Sequence, residues 1–394
     1  MRKVIAFGLV VLMLFSANLS AFANSEGKNE AESTIPVGSS FDNSIDAKSA
    51  VLMEAGSGRV LYSKNESSAY APASVTKIMT LLLVAEALSE EKIKLDENVT
   101  VSEYAASMGG SQVFLKEGES MSVEELIKCT VIASANDAAV ALAELVGGSE
   151  EAFVMQMNAR AMELEMKSTN FENVTGLDDT TVNHVTSAMD IAIMSRELIK
   201  HDIILKYSSI WQDTIRDGSF TLTNTNRLVR FYDGCNGLKT GSTDAAGFCM
   251  SATAKRDGMQ LIAVVMGAPT RDVRNSIAKK LLDYGFASYS LFKREKEMLE
   301  EIPIHGGTAD KTQLYSEPFV SIVPKESISK IESVYSIPEY LSAPVRAGEE
   351  IGKIEYLLNG ELLGSSKIYS EENVEKISYL QLYLRMLLSI FDKS

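Results

Sequence analysis

The stretch from Ala71 to Glu90 predicts a helix that has almost no polar face. It reads APASVTKIMTLLLVAEALSE, and Pro72 suits the first turn of a helix. A helix that is apolar on nearly all sides must be surrounded by other elements. The chain has 394 residues, of which 45% are hydrophobic and 23% are charged. That size and composition are typical of a globular protein whose core is large enough to bury such a helix.

Strand-like segments on both sides of the helical region predict an α+β domain. A hairpin is indicated around Gly56–Gly58, and three further strands lie within residues 236–268. Between them, Ser122 and Glu125 form a capping box that marks the start of a helix. We expect one α+β domain over residues 46–295, in which the terminal strands share a sheet.

The C-terminal part of the chain differs in its pattern of apolar and turn-forming residues. Residues 298–370 are short-stranded and turn-rich, which predicts a small all-β domain. Residues 371–394 become helical and strongly apolar, but the apolar stretch spans only ~22 Å at ~1.5 Å per residue, less than the ~30 Å hydrocarbon core. We expect an amphipathic helix at the membrane surface, with Tyr379 and Tyr383 at the headgroups. The alternative is a helix packed on its own protein.

The first 23 residues, MRKVIAFGLVVLMLFSANLSAFA, predict a cleaved secretory signal peptide. They combine a basic start, an apolar run and the small residues Ala21 and Ala23 before the cleavage site. A transmembrane anchor is the alternative, but the apolar run is short. Residues 24–45 are polar and rich in serine and glutamate, which predicts a flexible leader. The mature protein is therefore expected to be exported to the extracytoplasmic face of the cell membrane or the cell wall.

Charge and cysteine content exclude several classes of partner. The formal net charge of −15 argues against nucleic acid, because phosphate binding needs basic patches. Three cysteines do not make a disulfide framework. Cys129 lies in an apolar run. Cys235 and Cys249 flank a predicted hairpin without facing each other, so the sequence neither predicts nor excludes a disulfide between them. The three histidines stand in no motif, so neither a metal site nor a Ser-His-Asp triad is expected.

The apolar helix carries a serine and a lysine three positions apart. Ser74 and Lys77 face the same way on a helix, ~5–6 Å apart. Ser74 falls in the first turn, where free N–H groups and the helix dipole favour negative charge. A desolvated lysine has a lowered pKa and can act as a general base. Such pairs occur by chance in most proteins of this length, so this pair alone decides nothing.

A second polar motif, Ser134-Ala135-Asn136, stands at a break between two helical segments. Ser134 continues an apolar helical stripe and is therefore expected to point inward. An inward hydroxyl beside an asparagine can relay protons and hold a substrate amide. The alternative is that Asn136 or Asp137 only caps the next helix.

A third motif, Lys239-Thr240-Gly241-Ser242-Thr243, lies on a predicted strand. Gly241 lets a substrate backbone lie alongside as an added strand, and Lys239 offers a point charge for a carboxylate. The N–H of Ser242 and the N–H of Ser74 together would form an oxyanion hole. An ordinary polar strand with a solvated lysine is the alternative.

The three motifs together are far more informative than each alone. S-x-x-K, S-x-N and K-T-G in this order match the set of penicillin-binding proteins and class A β-lactamases. The chain resembles the low-molecular-mass penicillin-binding proteins that are D-alanyl-D-alanine carboxypeptidases, and it is most similar to their sporulation-associated members in endospore-forming bacteria. The resemblance covers nearly all of the mature chain, through APASVTK, GGSQVFL, SAND, TGLD and GLKTGST. It implies a β-lactamase/transpeptidase-like domain, in which an antiparallel sheet is packed with helices.

The resemblance also implies a role for each motif residue. Ser74 would be the acylated nucleophile, Lys77 its base, and Ser134 part of the proton relay. Residues that would contact the substrate are Asn136, Lys239, Thr240, Gly241, Ser242 and Thr243. Arg274 stands where relatives place an arginine for the terminal carboxylate, although nearby Arg271 is an alternative.

The implied reaction is serine carboxypeptidase chemistry. The enzyme would remove the terminal D-alanine from peptidoglycan stem pentapeptides through an acyl-enzyme, with no metal or organic cofactor, and β-lactams would acylate the same serine. A D,D-endopeptidase would use the same motifs. A class A-like β-lactamase would need an E-x-x-L-N run, which does not occur between Asn136 and Lys239. A non-catalytic wall-binding protein would need a broken motif, and all three are intact.

Overall fold

The computed structural model describes residues 44–179 and 181–391. The predicted signal peptide, residues 1–23, and nearly all of the predicted leader, residues 24–45, lie outside the described residues and stay predictions. The helices of the described chain are α1 (Lys77–Ser89), α2 (Glu103–Ala106), α3 (Val123–Lys128), α4 (Asn136–Gly147), α5 (Glu150–Glu163), α6 (Ala188–Leu198), α7 (Asp202–Ser208), α8 (Leu228–Phe231), α9 (Arg271–Ser288) and α10 (Tyr379–Phe391).

The strands fall into a first group, before α9, that contains the central sheet and a second group, after α9, that builds the C-terminal part. The strands of the first group are β1 (Ser49–Glu54), β2 (Val60–Lys64), β3 (Asn98–Thr100), β4 (Ser120–Ser122), β5 (Gln212–Ile215), β6 (Phe220–Thr223), β7 (Cys235–Thr243), β8 (Gly247–Arg256) and β9 (Met259–Ala268). Those of the second group are β10 (Tyr289–Arg294), β11 (Glu297–Met298), β12 (Ile302–His305), β13 (Lys311–Thr312), β14 (Leu314–Ser316), β15 (Phe319–Pro324), β16 (Ile331–Ser336), β17 (Leu341–Ser342), β18 (Glu350–Leu358) and β19 (Glu361–Ser370).

The central sheet has the order β2-β1-β9-β8-β7, and every neighbouring pair is antiparallel. Strand β1 comes from the start of the described chain and pairs along its length with β9. This pairing confirms that the terminal strands of the α+β domain share one sheet. Strand β7 forms one edge of the sheet, so the strand that carries Lys239-Thr240-Gly241 has one side free of a neighbouring strand.

The two faces of the sheet are covered by different helices. Val51 and Val264 point into the larger core, which contains α1, α4 and α6, whereas Leu52 and Val265 point into a second core under α9. Alternate residues of one strand reach opposite faces because the side-chain period of a strand is two. The sheet is therefore sandwiched between two helical layers, as the predicted α+β fold class requires.

Helix α1 is the central helix that its sequence predicts. Its residues from Lys77 to Ala85 are all buried, including the polar side chains of Lys77 and Thr80. The helix packs against α5, α6 and α4. A buried lysine amine on such a helix must find polar partners inside the domain, since an unpaired buried charge is costly.

The C-terminal part forms a small β domain built on its own core. Five strands have the order β11-β14-β19-β18-β16, and Ile354, Tyr356 and Ile368 of these strands pack with Phe292 of β10. Ile322 of β15 packs instead with the core under α9, so the two domains share an apolar boundary. The predicted small all-β domain is therefore confirmed.

Helix α10 begins at Tyr379, after a segment that still pairs with the small β domain. Lys376 bridges to Gly307, and Val374 bridges to Val345 and is buried. Within the described residues, no helix is long and apolar enough to cross a membrane.

The cysteines are free thiols in the described chain. Cys235 pairs with Ala254 across β7 and β8, while Cys249 lies opposite Gly241. The strand register that separates the two cysteines is the one expected from the sequence. The open question of a Cys235–Cys249 disulfide is thereby answered: the structure contains none between them.

Candidate active site

Ser74 lies in a 3-10 turn, Ala73–Thr76, that leads directly into α1. Its side chain is half-buried, whereas Ala73, Val75 and Thr76 around it are buried. Ala73 has a φ of 49°, in the left-handed region that side chains other than glycine avoid. The α-helix proper begins only at Lys77, so Ser74 stands at the positive end of α1 but before its first residue.

Lys77 is fully buried, and its amine contacts three oxygen atoms. Nζ lies 2.9 Å from Ser74 Oγ, 2.5 Å from Asn136 Oδ1 and 2.9 Å from the carbonyl oxygen of Thr175. Burial lowers the pKa of Lys77 well below its ordinary value, and the positive charge of Lys239 lowers it further, while Asp137 opposes the shift. The amine is therefore held beside the serine in an environment that favours its neutral form.

Asn136 has a single possible amide orientation. Its Nδ2 donates to the carbonyl oxygen of Gly109 at 2.7 Å, and a carbonyl can only accept. Its Oδ1 is therefore the atom that faces Lys77. The backbone N–H of Asn136 also donates to Ser111 O at 2.7 Å, so the first residue of α4 is fixed to the loop that contains GGSQVFL.

Ser134 follows a π-helical turn, Cys129–Ala133, and adopts a left-handed backbone with φ 63°. Its side chain is buried and its Oγ lies 2.7 Å from Lys239 Nζ. The inward direction expected from the sequence is therefore correct, although the irregular turn rather than a regular helical stripe produces it. Asn136 is the first residue of α4 and makes no capping bond there, which removes the capping alternative for Asn136.

Strand β7 approaches the 3-10 turn Ala73–Thr76, which we call the serine turn, at Gly241. A Cβ atom placed on Gly241 would lie 2.7 Å from Ser74 N and 2.9 Å from Val75 N. Only glycine allows the strand and the turn to come this close. Beyond this point Ser242 is exposed and Thr243 is half-buried, so the end of the motif is open to solvent.

Lys239 and Arg274 place two cationic groups at this strand. Lys239 is buried, and its Nζ donates to Thr240 O at 3.0 Å as well as to Ser134. Burial, aided by the charge of Arg274, lowers the pKa of Lys239 to about 7. Arg274 is buried and contacts the carbonyl oxygen of Cys249, whereas Arg271 is exposed. Burial first, and then the charge of Arg271, lowers the pKa of Arg274 to about 10.

Asp137 supports the loop beside the site. Its carboxylate accepts the backbone N–H groups of Val113 and Leu115, and it is fully buried. Phe114 between them has a φ of 58° and an exposed side chain. The two hydrogen bonds hold this left-handed turn in place and fix the loop that Asn136 contacts.

The structure brings the three sequence motifs together and adds groups that motif reasoning missed. The carbonyl oxygen of Thr175 contacts Lys77, and the hydroxyl of Thr225 lies 2.9 Å from Thr240 Oγ1. Backbone carbonyls give no side-chain signal, although Thr175 and Gly176 belong to TGLD, one of the stretches that carry the family resemblance. Gly176 has a φ of 82°, and a Cβ there would lie 1.8 Å from Ala73 O, so this loop packs directly on the serine turn.

A serine hydroxyl hydrogen-bonded to a buried lysine whose pKa is lowered is typical of enzymes that form covalent intermediates on serine. With the K-T-G strand alongside, the fold and the site define the penicillin-binding class of serine enzymes. Comparison with known proteins agrees with that class. The family model described as D-alanyl-D-alanine carboxypeptidase matches residues 36–270, and the model of the penicillin-binding protein 5 C-terminal domain matches residues 286–376.

Individual relatives are similar over 62% to 96% of the chain. D-alanyl-D-alanine carboxypeptidase DacF of Bacillus subtilis is 41% identical over 388 residues, which cover 96% of each chain. The solved structure of penicillin-binding protein 5 from Haemophilus influenzae is 33% identical with a TM-score of 0.72 and covers 86% of this chain and 100% of its own. That of penicillin-binding protein D2 from Listeria monocytogenes, in an ampicillin-bound form, is 31% identical with a TM-score of 0.58 and covers 62% and 100%.

The chain therefore belongs to the D-alanyl-D-alanine carboxypeptidase family of serine peptidases. This confirms the predicted fold class, family and enzyme class. The small β domain predicted from the texture of the sequence is the C-terminal domain that accompanies the catalytic domain in penicillin-binding protein 5.

Proposed function

We propose that the chain removes the terminal D-alanine from peptidoglycan stem pentapeptides through an acyl-enzyme on Ser74. The observation that carries the proposal is the set of partners around Lys77. A neutral amine has two N–H groups and one lone pair, and Asn136 Oδ1 and Thr175 O can only accept. Those two acceptors take the two N–H groups, so the lone pair faces the remaining contact, Ser74 Oγ, at 2.9 Å.

Acylation then follows from this arrangement. Ser74 Oγ attacks the carbonyl carbon of the penultimate D-alanine and passes its proton to Lys77 Nζ. The N–H groups of Ser74 and Ser242 stabilise the oxyanion that forms. The C–N bond breaks, D-alanine leaves after its amine gains a proton, and water later hydrolyses the ester on Ser74. Ser134 accepts a hydrogen bond from Lys239, so its own hydroxyl proton is available to the leaving amine. The proton that Lys77 took from Ser74 then restores the Ser134 hydroxyl and leaves Lys77 neutral for the hydrolysis step.

The substrate backbone lies along the free edge of β7 as an added strand. Thr240, Gly241 and Thr243 line that edge, and Asn136 holds the substrate amide. Lys239 and Arg274 supply the positive charge that recognises the terminal carboxylate. Arg274 is preferred to Arg271 because its guanidinium contacts the strand opposite Gly241, whereas Arg271 faces solvent.

One experiment tests this function. Purified protein is incubated with a fluorescent penicillin and, separately, with a diacylated Lys-D-Ala-D-Ala peptide. We expect a stable covalent adduct and release of D-alanine, both lost in Ser74→Ala. Rapid turnover of the penicillin would favour a β-lactamase, cleavage of crosslinked dimeric peptides in place of the pentapeptide would favour an endopeptidase, and no adduct at all would refute the enzyme mechanism.

We also propose that α10 attaches the protein to the membrane surface. Its apolar side chains point away from the protein: Tyr379 is 96% exposed, Leu380 69%, Tyr383 60% and Leu388 68%. Its Arg385 instead contacts the small β domain, at Asp310 Oδ1 and at the carbonyl oxygen of Thr308. A helix that exposes an apolar face of this size to solvent is suited to the headgroup boundary of a bilayer.

The membrane proposal is tested by a truncation placed after Ser378. A cut near Tyr369 would remove Val374, which is buried in the small β domain, and so would confound loss of the helix with loss of the fold. We expect the chain that ends at Ser378 to leave the vesicle-bound fraction and keep its carboxypeptidase activity. Sedimentation of the shortened protein with vesicles would refute the proposal.

Export and a role in sporulation complete the proposal. Export rests on the sequence of residues 1–23, and N-terminal sequencing of the secreted protein should begin at Asn24. The sporulation role rests on the resemblance described above. It predicts that deleting the gene alters the crosslinking of the spore wall and leaves vegetative growth unchanged.

A further inference from the structure

His184 is buried, and both of its ring nitrogens are hydrogen-bonded. The backbone N–H of Glu172 donates to Nδ1 at 2.9 Å. Because an N–H group can only donate, Nδ1 must carry the lone pair, and the ring proton must sit on Nε2. Nε2 lies 2.8 Å from Thr76 Oγ1 and therefore donates to that hydroxyl. Both partners thus select one neutral tautomer.

The hydroxyl of Thr76 links His184 to the serine turn through a second hydrogen bond. Thr76 Oγ1 donates to Ala73 O at 2.9 Å, and Thr76 is completely buried. The carbonyl of Ala73 and the N–H of Ser74 belong to the same rigid peptide unit. Fixing that carbonyl therefore fixes the direction of the Ser74 N–H. Since Ala73 has the disfavoured φ of 49°, an outside contact is needed to hold it there.

We propose that His184 is a positioning residue for acylation, which acts through Thr76 to orient the peptide unit between Ala73 and Ser74. The inference rests on the proposed role of Ser74 as the nucleophile. His184 touches neither the substrate nor the reacting atoms. Its contribution is to hold the Ser74 N–H in the direction in which that group stabilises the oxyanion.

The surroundings of His184 keep the ring neutral over the working pH range. Burial lowers its pKa to about 4, although Glu172 and Asp178 are close enough to oppose the shift. The carboxylate of Glu172 is itself occupied by the backbone N–H groups of Val182 and Asn183. Phe171 contacts the ring edge-on, with centroids 5.8 Å apart. A cationic ring would put two donors face to face at Glu172 N and would break the chain of bonds.

The test is the rate of acylation of the full chain by a chromogenic penicillin, separated into a dissociation constant and a first-order rate constant. We expect Thr76→Val and His184→Leu to lower the rate constant by about 10- to 100-fold and to leave the dissociation constant unchanged. Thr76→Ser, which keeps the hydroxyl, and His184→Gln, whose amide can donate where Nε2 does, should recover most of the rate.

Thr80→Val is the matched structural control. Thr80 lies one turn further along α1, is completely buried, and its hydroxyl donates to Val174 O at 2.7 Å. Like Thr76, Thr80 thus makes a buried hydrogen bond to the connection between α5 and α6, but its hydroxyl does not bond to Ala73. We expect Thr80→Val and Thr76→Val to lower the melting temperature by similar amounts, but only Thr76→Val to slow acylation after correction for the fraction of active protein.

Two results would overturn the inference. One is an equal loss of rate in Thr80→Val and Thr76→Val, and the other is acylation of folded His184→Leu at the wild-type rate. Failure of the proposed function looks different, because Ser74→Ala would then still form the adduct or the wild-type chain would form none. Thr76→Val and His184→Leu each break the chain of hydrogen bonds from His184 through Thr76 to Ala73 O. If one of them does not fold, the acylation rate of the other still tests the inference.

Discussion

The amine of Lys239 donates a 2.7 Å hydrogen bond to the hydroxyl of Ser134, and this contact separates the two buried lysines into distinct pairs. Lys77 is bonded to Ser74, and Lys239 to Ser134. The charge on Lys239 is one of the causes that lower the pKa of Lys77. In the proposed mechanism the proton from Ser74 goes to the first pair and the proton for the leaving group comes from the second, so the two transfers begin at neighbouring pairs that are coupled electrostatically.

Replacing Lys77 with arginine should nearly abolish acylation. A guanidinium stays charged in a protein and cannot accept the serine proton. We expect Lys77→Arg to lower the first-order rate of penicillin acylation by roughly 10²- to 10⁴-fold, the usual contribution of a general base. Lys167→Met, which alters an exposed lysine, should acylate normally. A rate within threefold of wild type in Lys77→Arg would remove Lys77 from the role of base.

Asn136→Asp should move the acid limb of the pH profile to higher pH. A carboxylate 2.5 Å from Lys77 Nζ stabilises the ammonium form, so the pKa of Lys77 rises and the amine is neutral only at higher pH. We expect acylation at pH 7 to fall about tenfold or more and to recover partly as the pH increases. The measurement is the acylation rate from pH 5 to 10. Recovery on lowering the pH would contradict the assignment.

The pKa of about 7 for Lys239 predicts an alkaline limb for substrates with a free carboxylate. Above that pH the amine is neutral and loses its attraction for the carboxylate, so kcat/KM should fall as the pH rises through about 7. Lys239→Arg keeps its charge and should remove this limb, even if its maximum is lower. A depsipeptide or peptide amide without the terminal carboxylate serves as the matched substrate and should show no such fall. The same limb in Lys239→Arg would argue for another titrating group.

Gly241→Ala should separate β7 from the serine turn. The added Cβ would lie 2.7 Å from Ser74 N, so either the strand or the turn must shift. We expect acylation to fall by about 100-fold, because the oxyanion groups no longer converge. Gly109→Ala is the control, since a Cβ at Gly109 meets no atom within 4 Å in the described chain. Equal activity of the two variants, each folded by its melting curve, would contradict the close approach.

The sequence predicted the catalytic motifs and the layout of the sheet because those features depend on side-chain type and strand periodicity. S-x-x-K, S-x-N and K-T-G meet at one place, and the hairpin around Gly56–Gly58 forms as expected. The capping box of Ser122 and Glu125 is also present. These signals are local, so a single chain is enough to recognise them.

The remaining parts of the site are contacts between distant backbone groups, which no local pattern encodes. The Thr175 carbonyl and the Gly109 carbonyl reach the site from loops whose positions depend on the whole fold. The π-helical turn before Ser134 ends in a left-handed residue that helical periodicity does not predict. His184 stands in no motif, and its connection to Thr76 spans 108 positions along the chain. Tertiary packing decides such contacts, and the sequence of one protein does not show it.

Ala73, Phe114 and Ser134 all hold left-handed backbones without being glycine. Ala73 and Ser134 lie beside the groups that we propose to react, and Phe114 lies in the loop that fixes Asn136. Residues of this kind typically cost ~1–3 kcal/mol each, and proteins concentrate them where geometry matters more than stability. A laboratory selection for heat resistance would therefore find relief of strain first at these positions. Variants enriched in that way should survive heating better and turn over fewer substrate molecules, because the relaxed backbone no longer presents the serine.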